Sequence, residues 1–293
     1  NVALVCAVCL GIYCLPGSKP DGVSVLAFFL TAGFCFWGTT ILNIWFSFAG
    51  VLIYSLVTKK KPGAMANAFL FSTGLAPLIT EMLFRYPGEA WHGFTGLGIV
   101  LALAVGIFIG FIFPAVLPHS PQMHKGYDLY NAAVPIGLIA FFLRSLLYKI
   151  FTSAPPASEN VGLADSFLPL SIGFCLVVFL LAIIWGLALG GGKEYGRLLR
   201  DSGYNVDYGT KYGSGAAILN FGVYGLFIVL YYLLIGAKWN AATLGCVFCM
   251  VCCCYKGSHP ANVWPIMVGY VAASYIAEFG CGLTGAEHTL MAN

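Results

Sequence analysis

Apolar runs close to twenty residues long recur from one end of the chain to the other, as at 94–117 and 167–189. Few folds admit such a pattern. Inside a bilayer no water satisfies the backbone, so a spanning segment must be a helix or part of a closed barrel. A helix crosses the hydrocarbon layer in about 20 residues, which is the length seen here. Of the 293 residues, 60% are hydrophobic and only 9% charged, whereas soluble domains carry about 25% charged residues. The expectation is an all-α, polytopic transmembrane helical bundle. Its segments are 2–15, 22–37, 39–57, 66–84, 94–117, 127–150, 167–189, 215–235, 241–255 and 260–279, about ten in all. Within 66–84 the run Ser72-Thr73-Gly74-Leu75-Ala76-Pro77 is a helix breaker, so some segments are expected to be broken or re-entrant.

Charge placement orients such a bundle. If every segment crosses and Lys59-Lys60-Lys61 is cytoplasmic, then Lys19, Lys125, Lys193, Arg197, Arg200, Lys211 and Lys256 also fall inside. Only Arg85, Lys149 and Lys238 fall outside. Cytoplasmic loops carry the excess of Lys and Arg, and this topology obeys that rule. The net charge of +3 is small, and no long basic run is present. Nucleic acid is therefore not an expected partner.

The chain also matches itself. Gly38-Thr-Thr-Ile-Leu-Asn43-Ile-Trp45 through Gly50 aligns with Gly257-Ser-His-Pro-Ala-Asn262-Val-Trp264 through Gly269, at an offset of 219 residues (262 − 43) with no gap. The same offset sets Asn1 on Asn220, Tyr13 on Tyr232, Gly17 on Gly236, Lys19 on Lys238 and Cys35 on Cys254. A long offset held without a gap indicates an internal duplication. Under the charge-derived topology the two copies run in opposite directions, the inverted-repeat plan of many transporters. The expected organisation is 1–118 as a first repeat with a truncated start, 119–213 as central helices and a cytoplasmic loop, and 214–293 as a second repeat with a truncated end. Met291-Ala292-Asn293 matches Met65-Ala66-Asn67, and both ends are abrupt. A piece of a longer protein is expected.

Asn within a membrane segment is costly unless its amide is satisfied. Here Asn43 matches Asn262, and Asn1 matches Asn220; Asn131 follows Gly126 at the spacing by which Asn220 follows Gly215. An amide donates and accepts, which suits a neutral polar solute. The alternative is that these Asn cap broken helices or bond to neighbouring ones. Ser258 and Pro260 read as a helix start, with Thr39 and Thr40 in the first copy. Such starts present free N–H groups to a solute. His259 is a candidate proton relay, although the first copy has Thr40 there. Trp45 and Trp264 are candidate walls of a permeation slot or interfacial anchors. Thr73 and Ser72 offer hydroxyls at the Gly74–Pro77 break. Arg144 lies deep in its segment and needs a partner or a snorkelling route; Asp128 is too far along the same helix to serve. Glu81 and Glu278 fall near segment ends.

The eleven Cys do not suggest a disulfide framework. Cys246, Cys249, Cys252, Cys253 and Cys254 share one apolar segment and read either as small packing residues or as a metal or redox cluster. No His or carboxylate lies within that run. Phosphate-binding loops, His-Glu-x-x-His and Gly-x-Ser-x-Gly are all missing from the sequence. Neither enzyme activity nor a cofactor is expected.

At Gly126-Tyr-Asp-Leu-Tyr-Asn131, Gly74-Leu-Ala-Pro77, Leu198-Leu-Arg-Asp-Ser-Gly-Tyr204 and Gly257-Ser-His-Pro-Ala-Asn262 the chain resembles a bacterial family of duplicated multi-pass membrane proteins, domain of unknown function 1576. The resemblance runs over nearly the whole chain and implies a bacterial inner-membrane protein. A weaker likeness is to urea transporters, inverted-repeat channels with a Gly-Tyr-Asn-Gly-like element; Gly126-Tyr127 through Asn131 is similar to it, with extra residues between Tyr and Asn. The function expected is a channel or facilitator for a small neutral polar solute, urea or amide-like. Its solute would be met by Asn43, Asn262, Asn131, Asn220, Trp45, Trp264, Thr73 and His259. The alternatives are an ion-coupled secondary transporter, with His259, Glu81 or Arg144 carrying charge, and a membrane scaffold or subunit without a pore. Expected partners are the solute and the lipid bilayer, and a homo-oligomer is compatible with the pattern.

Overall fold

A computed structural model describes residues 1–88, 90–125, 131–150 and 168–281, those from 277 on by backbone alone. The Gly126–Tyr130 part of the motif, Asp128, the 152–166 loop, the side chain of Glu278 and Met291-Ala292-Asn293 lie outside the described residues. Every regular element described is helical. The chain forms two compact units, Asn1–Gly162 and Leu163–Asn293, so the 119–213 stretch is shared between them.

The first unit contains α1 (Val2–Tyr13), α2 (Gly22–Phe34), α3 (Ile44–Val57), α4 (Ala66–Ser72), α5 (Ala76–Phe84), α6 (Gly96–Val116), α7 (Ser120–His124) and α8 (Ala133–Ser145). Asp21 starts α2 with a reciprocal cap, its carboxylate accepting from the Ser24 N–H. Between α4 and α5 the Thr73–Leu75 segment tightens into a 3-10 turn before Pro77. This is the break read in the sequence, and it arises because Pro77 supplies no N–H to an uninterrupted helix. α3 lies along α6. Glycine makes that approach close: a Cβ on Gly110 would collide with the Ser47 carbonyl oxygen. Small residues serve this purpose between membrane helices, where burial from water gives little drive and packing must supply the attraction.

The second unit contains α9 (Leu168–Ala188), α10 (Gly192–Leu198), α11 (Tyr208–Tyr212), α12 (Ser214–Leu234), α13 (Ala241–Val251) and α14 (Pro260–Cys281). Its central pair is α9 on α12, where a Cβ on Gly222 would stand 2.6 Å from the Phe179 carbonyl oxygen. Asn240 caps α13 through the Thr243 N–H at 3.0 Å, as Asp21 caps α2 through Ser24 at 3.0 Å. These caps are related by the 219-residue offset.

Among the described residues, five helical stretches are long and apolar enough to cross a membrane: Pro62–Phe84, Gly96–His124, Ala133–Ile150, Leu168–Ala188 and Ser214–Leu234. Their outer faces carry Leu181, Ile184, Trp185 and Phe141 exposed, which a lipid environment covers and water would not. Val2–Tyr13, Gly22–Trp37, Ile44–Val57 and Ala241–Tyr255 are apolar but shorter. The 14 residues of α3 reach roughly 21 Å at 1.5 Å per residue, against a hydrocarbon layer of about 30 Å. α3 is therefore too short to cross on its own, in line with the expectation of broken or re-entrant segments, although the sequence segment 39–57 was read at nearly full length.

Candidate functional site

The two matched turns share the same Asn lock. In the first, Gly38 takes φ 104°, a left-handed conformation that glycine enters without steric penalty. Asn43 then folds back over the turn. Its Nδ2 donates to the Gly38 carbonyl at 2.8 Å and its Oδ1 accepts the Thr40 N–H at 2.8 Å. In the second, Gly257 takes φ 127°. Asn262 Nδ2 donates to the Gly257 carbonyl at 2.7 Å, and its Oδ1 accepts the His259 N–H at 3.0 Å. The Thr39 N–H reaches the Phe34 carbonyl at 3.1 Å, and the Ser258 N–H reaches Cys253 at the same distance. Each Asn precedes or opens the following helix, but it locks the turn behind it instead of capping the helix ahead.

A second amide clamps each turn from an adjoining helix. Asn1 Nδ2 donates to the Thr39 carbonyl at 2.8 Å, and Asn1 Oδ1 accepts the Ile41 N–H at 3.0 Å. Asn220, its match in α12, donates from Nδ2 to the Ser258 carbonyl at 2.8 Å and to the Cys254 carbonyl at 2.8 Å. The position matching Ile41 is Pro260, which has no N–H to give. Asn220 Oδ1 is accordingly buried without a hydrogen-bond partner among the described residues, in a side chain that is 0% exposed.

His259 carries the other unused atom of this turn. One ring nitrogen, Nε2, stands 2.9 Å from the Asp201 carbonyl oxygen. A carbonyl only accepts, so Nε2 holds the proton and Nδ1 of the neutral ring is a bare acceptor. Nδ1 is buried and has no partner among the described residues. The residue is 1% exposed, and burial lowers its pKa below the usual 6.5, outweighing the bond and charge of Asp201. The turn at Cys254–Pro260 thus holds two buried lone pairs with nothing donated to them. Each costs about 1–3 kcal/mol when left so.

Different elements cover the two turns. In the first unit the cover is the broken helix. Thr39 Oγ1 donates to the Thr73 carbonyl at 3.1 Å, Asn43 Nδ2 donates to Thr80 Oγ1 at 2.8 Å, and Pro77 packs near Gly38. Thr73 Oγ1 donates to the Leu70 carbonyl at 2.6 Å, and Ser72 Oγ meets Ser47 Oγ at 3.2 Å. In the second unit the cover is the polar segment leading into α11, with the first residue of that helix. Tyr208 donates to the Gly257 carbonyl at 2.7 Å, and a Cβ on Gly203 would strike that same carbonyl. Asp201 anchors this segment. Burial pushes its carboxyl up, but hydrogen bonds from Lys211, Tyr212 and the Gly203 N–H prevail and bring its pKa down to about 2. Thr80 and Tyr208 were not singled out in the sequence, and Asp201 entered only as part of the Leu198–Tyr204 motif, with no role given to it. Tyr208 and Asp201 sit in its one long hydrophilic loop, where polar residues carry no signal of burial.

The eight candidate residues therefore divide. Asn220, Asn262 and His259 meet at one turn, and Asn43 and Thr73 belong to the cluster around the other. Asn43 is 1% exposed, with both amide hydrogens and its oxygen engaged. Asn131 joins neither; it is exposed, and its Oδ1 pairs with His124 Nε2 at 2.5 Å. Trp45 and Trp264 are each 52% exposed within their units. Arg144 is exposed and forms no ion pair among the described residues, while Glu81 accepts from the Tyr148 hydroxyl. Cys252, Cys253 and Cys254 are fully buried, and no His, Cys, Asp and Glu group suited to a metal ion occurs among the described residues.

The family model described as Protein of unknown function (DUF1576) matches residues 1–149 and 192–288, which takes in both turns and both clamping Asn. No curated protein and no solved structure matches the chain. This is a membrane-embedded helical protein, and the chain belongs to the family Protein of unknown function (DUF1576).

Proposed function

We propose that the protein is a transport protein of the bacterial inner membrane, a channel or facilitator for a small neutral solute bearing N–H donors, such as urea or another simple amide. The observation that carries this reading is the pair of buried acceptors, Asn220 Oδ1 and His259 Nδ1, at a turn whose twin is closed. Two lone pairs with no donor select a partner that donates. A neutral N–H-bearing solute supplies donors without the desolvation cost of a full charge, which is large at membrane depth. The repeated turns, each following a short helix, support the inverted-repeat plan, in which discontinuous helices gather the polar groups of a transport site. In this reading Asn43 and Asn262 hold the turns and do not touch solute.

The test is flux into liposomes containing the purified full chain. Uptake of urea or acetamide that is independent of a proton or sodium gradient supports the facilitator. Uptake that requires a gradient replaces it with a coupled transporter, and no uptake across a panel of neutral amides contradicts the reading.

A further inference from the structure

A cavity of about 210 Å³ lies at the lysine-bearing end of the first unit, where the chain leaves α1, enters α2 and later starts α4. Its wall includes Tyr13, Gly17, Ser18, Lys19, Ser24 and Asn67. The volume is far above the roughly 10–15 Å³ that admits one water and below the roughly 300 Å³ where drug-sized pockets begin. It suits a compact polyatomic group.

The polar atoms of the wall are arranged to donate. The Tyr13 oxygen stands 2.8 Å from Asn67 Oδ1 and 3.1 Å from the Ser24 carbonyl oxygen, its one proton shared between these two acceptors. The bond to Asn67 uses the acceptor end of the Asn67 amide and leaves its NH₂ with no bond among the described residues. Ser18 Oγ is buried and without a partner among the described residues. Lys19 is exposed and makes no ion pair among them. The stem of Lys61 runs beside Gly17, where an added Cβ would come within 3.1 Å of Lys61 Cδ. No carboxylate is part of the wall. The nearest in sequence, Asp21, is held by the Ser24 N–H at 3.0 Å and Ser24 Oγ at 3.3 Å.

Ammonium, carboxamide NH₂ and hydroxyl together match a group with several anionic acceptor oxygens. We propose that this cavity binds a phosphate group, from an anionic lipid headgroup or from a soluble phosphate. The lysines that favour the cytoplasmic face by the positive-inside rule would set the cavity where anionic headgroups lie.

The experiment uses the purified, delipidated full chain in neutral detergent and reads the thermal unfolding midpoint, which rises with any ligand that binds the folded state. Inorganic phosphate, short-chain phosphatidylglycerol and short-chain phosphatidylcholine are titrated separately. A rise with phosphatidylglycerol alone assigns a lipid headgroup; a rise with inorganic phosphate assigns a soluble anion. Lys19→Gln and Asn67→Leu are each expected to weaken the effective probe about tenfold, while Lys59→Gln/Lys60→Gln, off the wall, leaves it unchanged. If either wall variant does not fold, Ser18→Ala takes its place, with a smaller loss expected. Equal rises with both lipids, no rise with any probe, or an equal loss from the Lys59/Lys60 change would overturn the proposal.

Discussion

Pro260 occupies the place that Ile41 holds in the matched turn, and the exchange removes one hydrogen bond. Asn1 Oδ1 accepts the Ile41 N–H at 3.0 Å, whereas Pro260 has no N–H to give and Asn220 Oδ1 stays unpartnered among the described residues. A single substitution separates a closed turn from one with a free acceptor. Returning the donor with Pro260→Ile should stabilise the protein by about 1 kcal/mol, the net value of one hydrogen bond, less what proline contributes at a first helical position. Denaturant unfolding in micelles measures it, and a clear loss of stability would mean that the two turns are not interchangeable.

The Asn locks should differ in weight. Asn43→Ala removes three bonds from a buried side chain, leaving the Gly38 carbonyl and the Thr40 N–H without that partner. A loss of about 2–3 kcal/mol is expected. Asn262→Ala acts on a half-buried side chain with its lock bonds at 2.7 and 3.0 Å, and should cost about 1 kcal/mol. Unfolding measurements on the two variants check the order; equal, negligible losses would show that the turns hold without the amides.

The inverted plan makes a prediction about sides. Lys19 and Lys238 are matched by the 219-residue offset and both are exposed. In right-side-out vesicles a membrane-impermeant amine reagent should modify Lys238 at once and Lys19 only after permeabilisation, as located by peptide mass spectrometry. Modification of both from one side would leave a parallel repeat.

His259 should make the cover of its turn acid-sensitive. Its pKa is lowered in the fold, so the unfolded or undocked state binds the proton more readily. Stability from this group is complete above the ordinary His value near 6.5 and falls as pH drops below it. Asp201, whose pKa is about 2, keeps its charge through that window and does not contribute there. Hydrogen exchange in 199–213, corrected for the intrinsic rate at each pH, should therefore rise as pH falls below about 6.5, and His259→Gln should flatten the rise.

Much of this arrangement was legible in the sequence because matched residues do matched work. Asn43 with Asn262, Gly38 with Gly257 and Asn1 with Asn220 align without a gap, and each pair sits in corresponding backbone. The Gly74–Pro77 break was readable because proline cannot continue the hydrogen-bond ladder. What an Asn bonds to was not readable: of the matched pair Asn1 and Asn220, the amide oxygen is bonded at Asn1 and unpartnered at Asn220 among the described residues, and the difference lies in a neighbour's missing N–H. The length of α3 was hidden for a related reason. Thr39 to Asn43 is apolar enough to extend the run, yet Gly38 and the Asn43 lock bend it into a turn. Trp45 and Trp264 show the limit of pattern alone, since repetition marks them as equivalent without saying what they face.

The most direct test of the transport account is the initial rate of urea or acetamide uptake by liposomes carrying Pro260→Ile, set against the unmodified chain. If Asn220 Oδ1 is the acceptor that receives a passing N–H, supplying it with a permanent backbone donor should slow uptake at least several-fold while the fold is kept. Uptake at an unchanged rate in a correctly folded variant would contradict it.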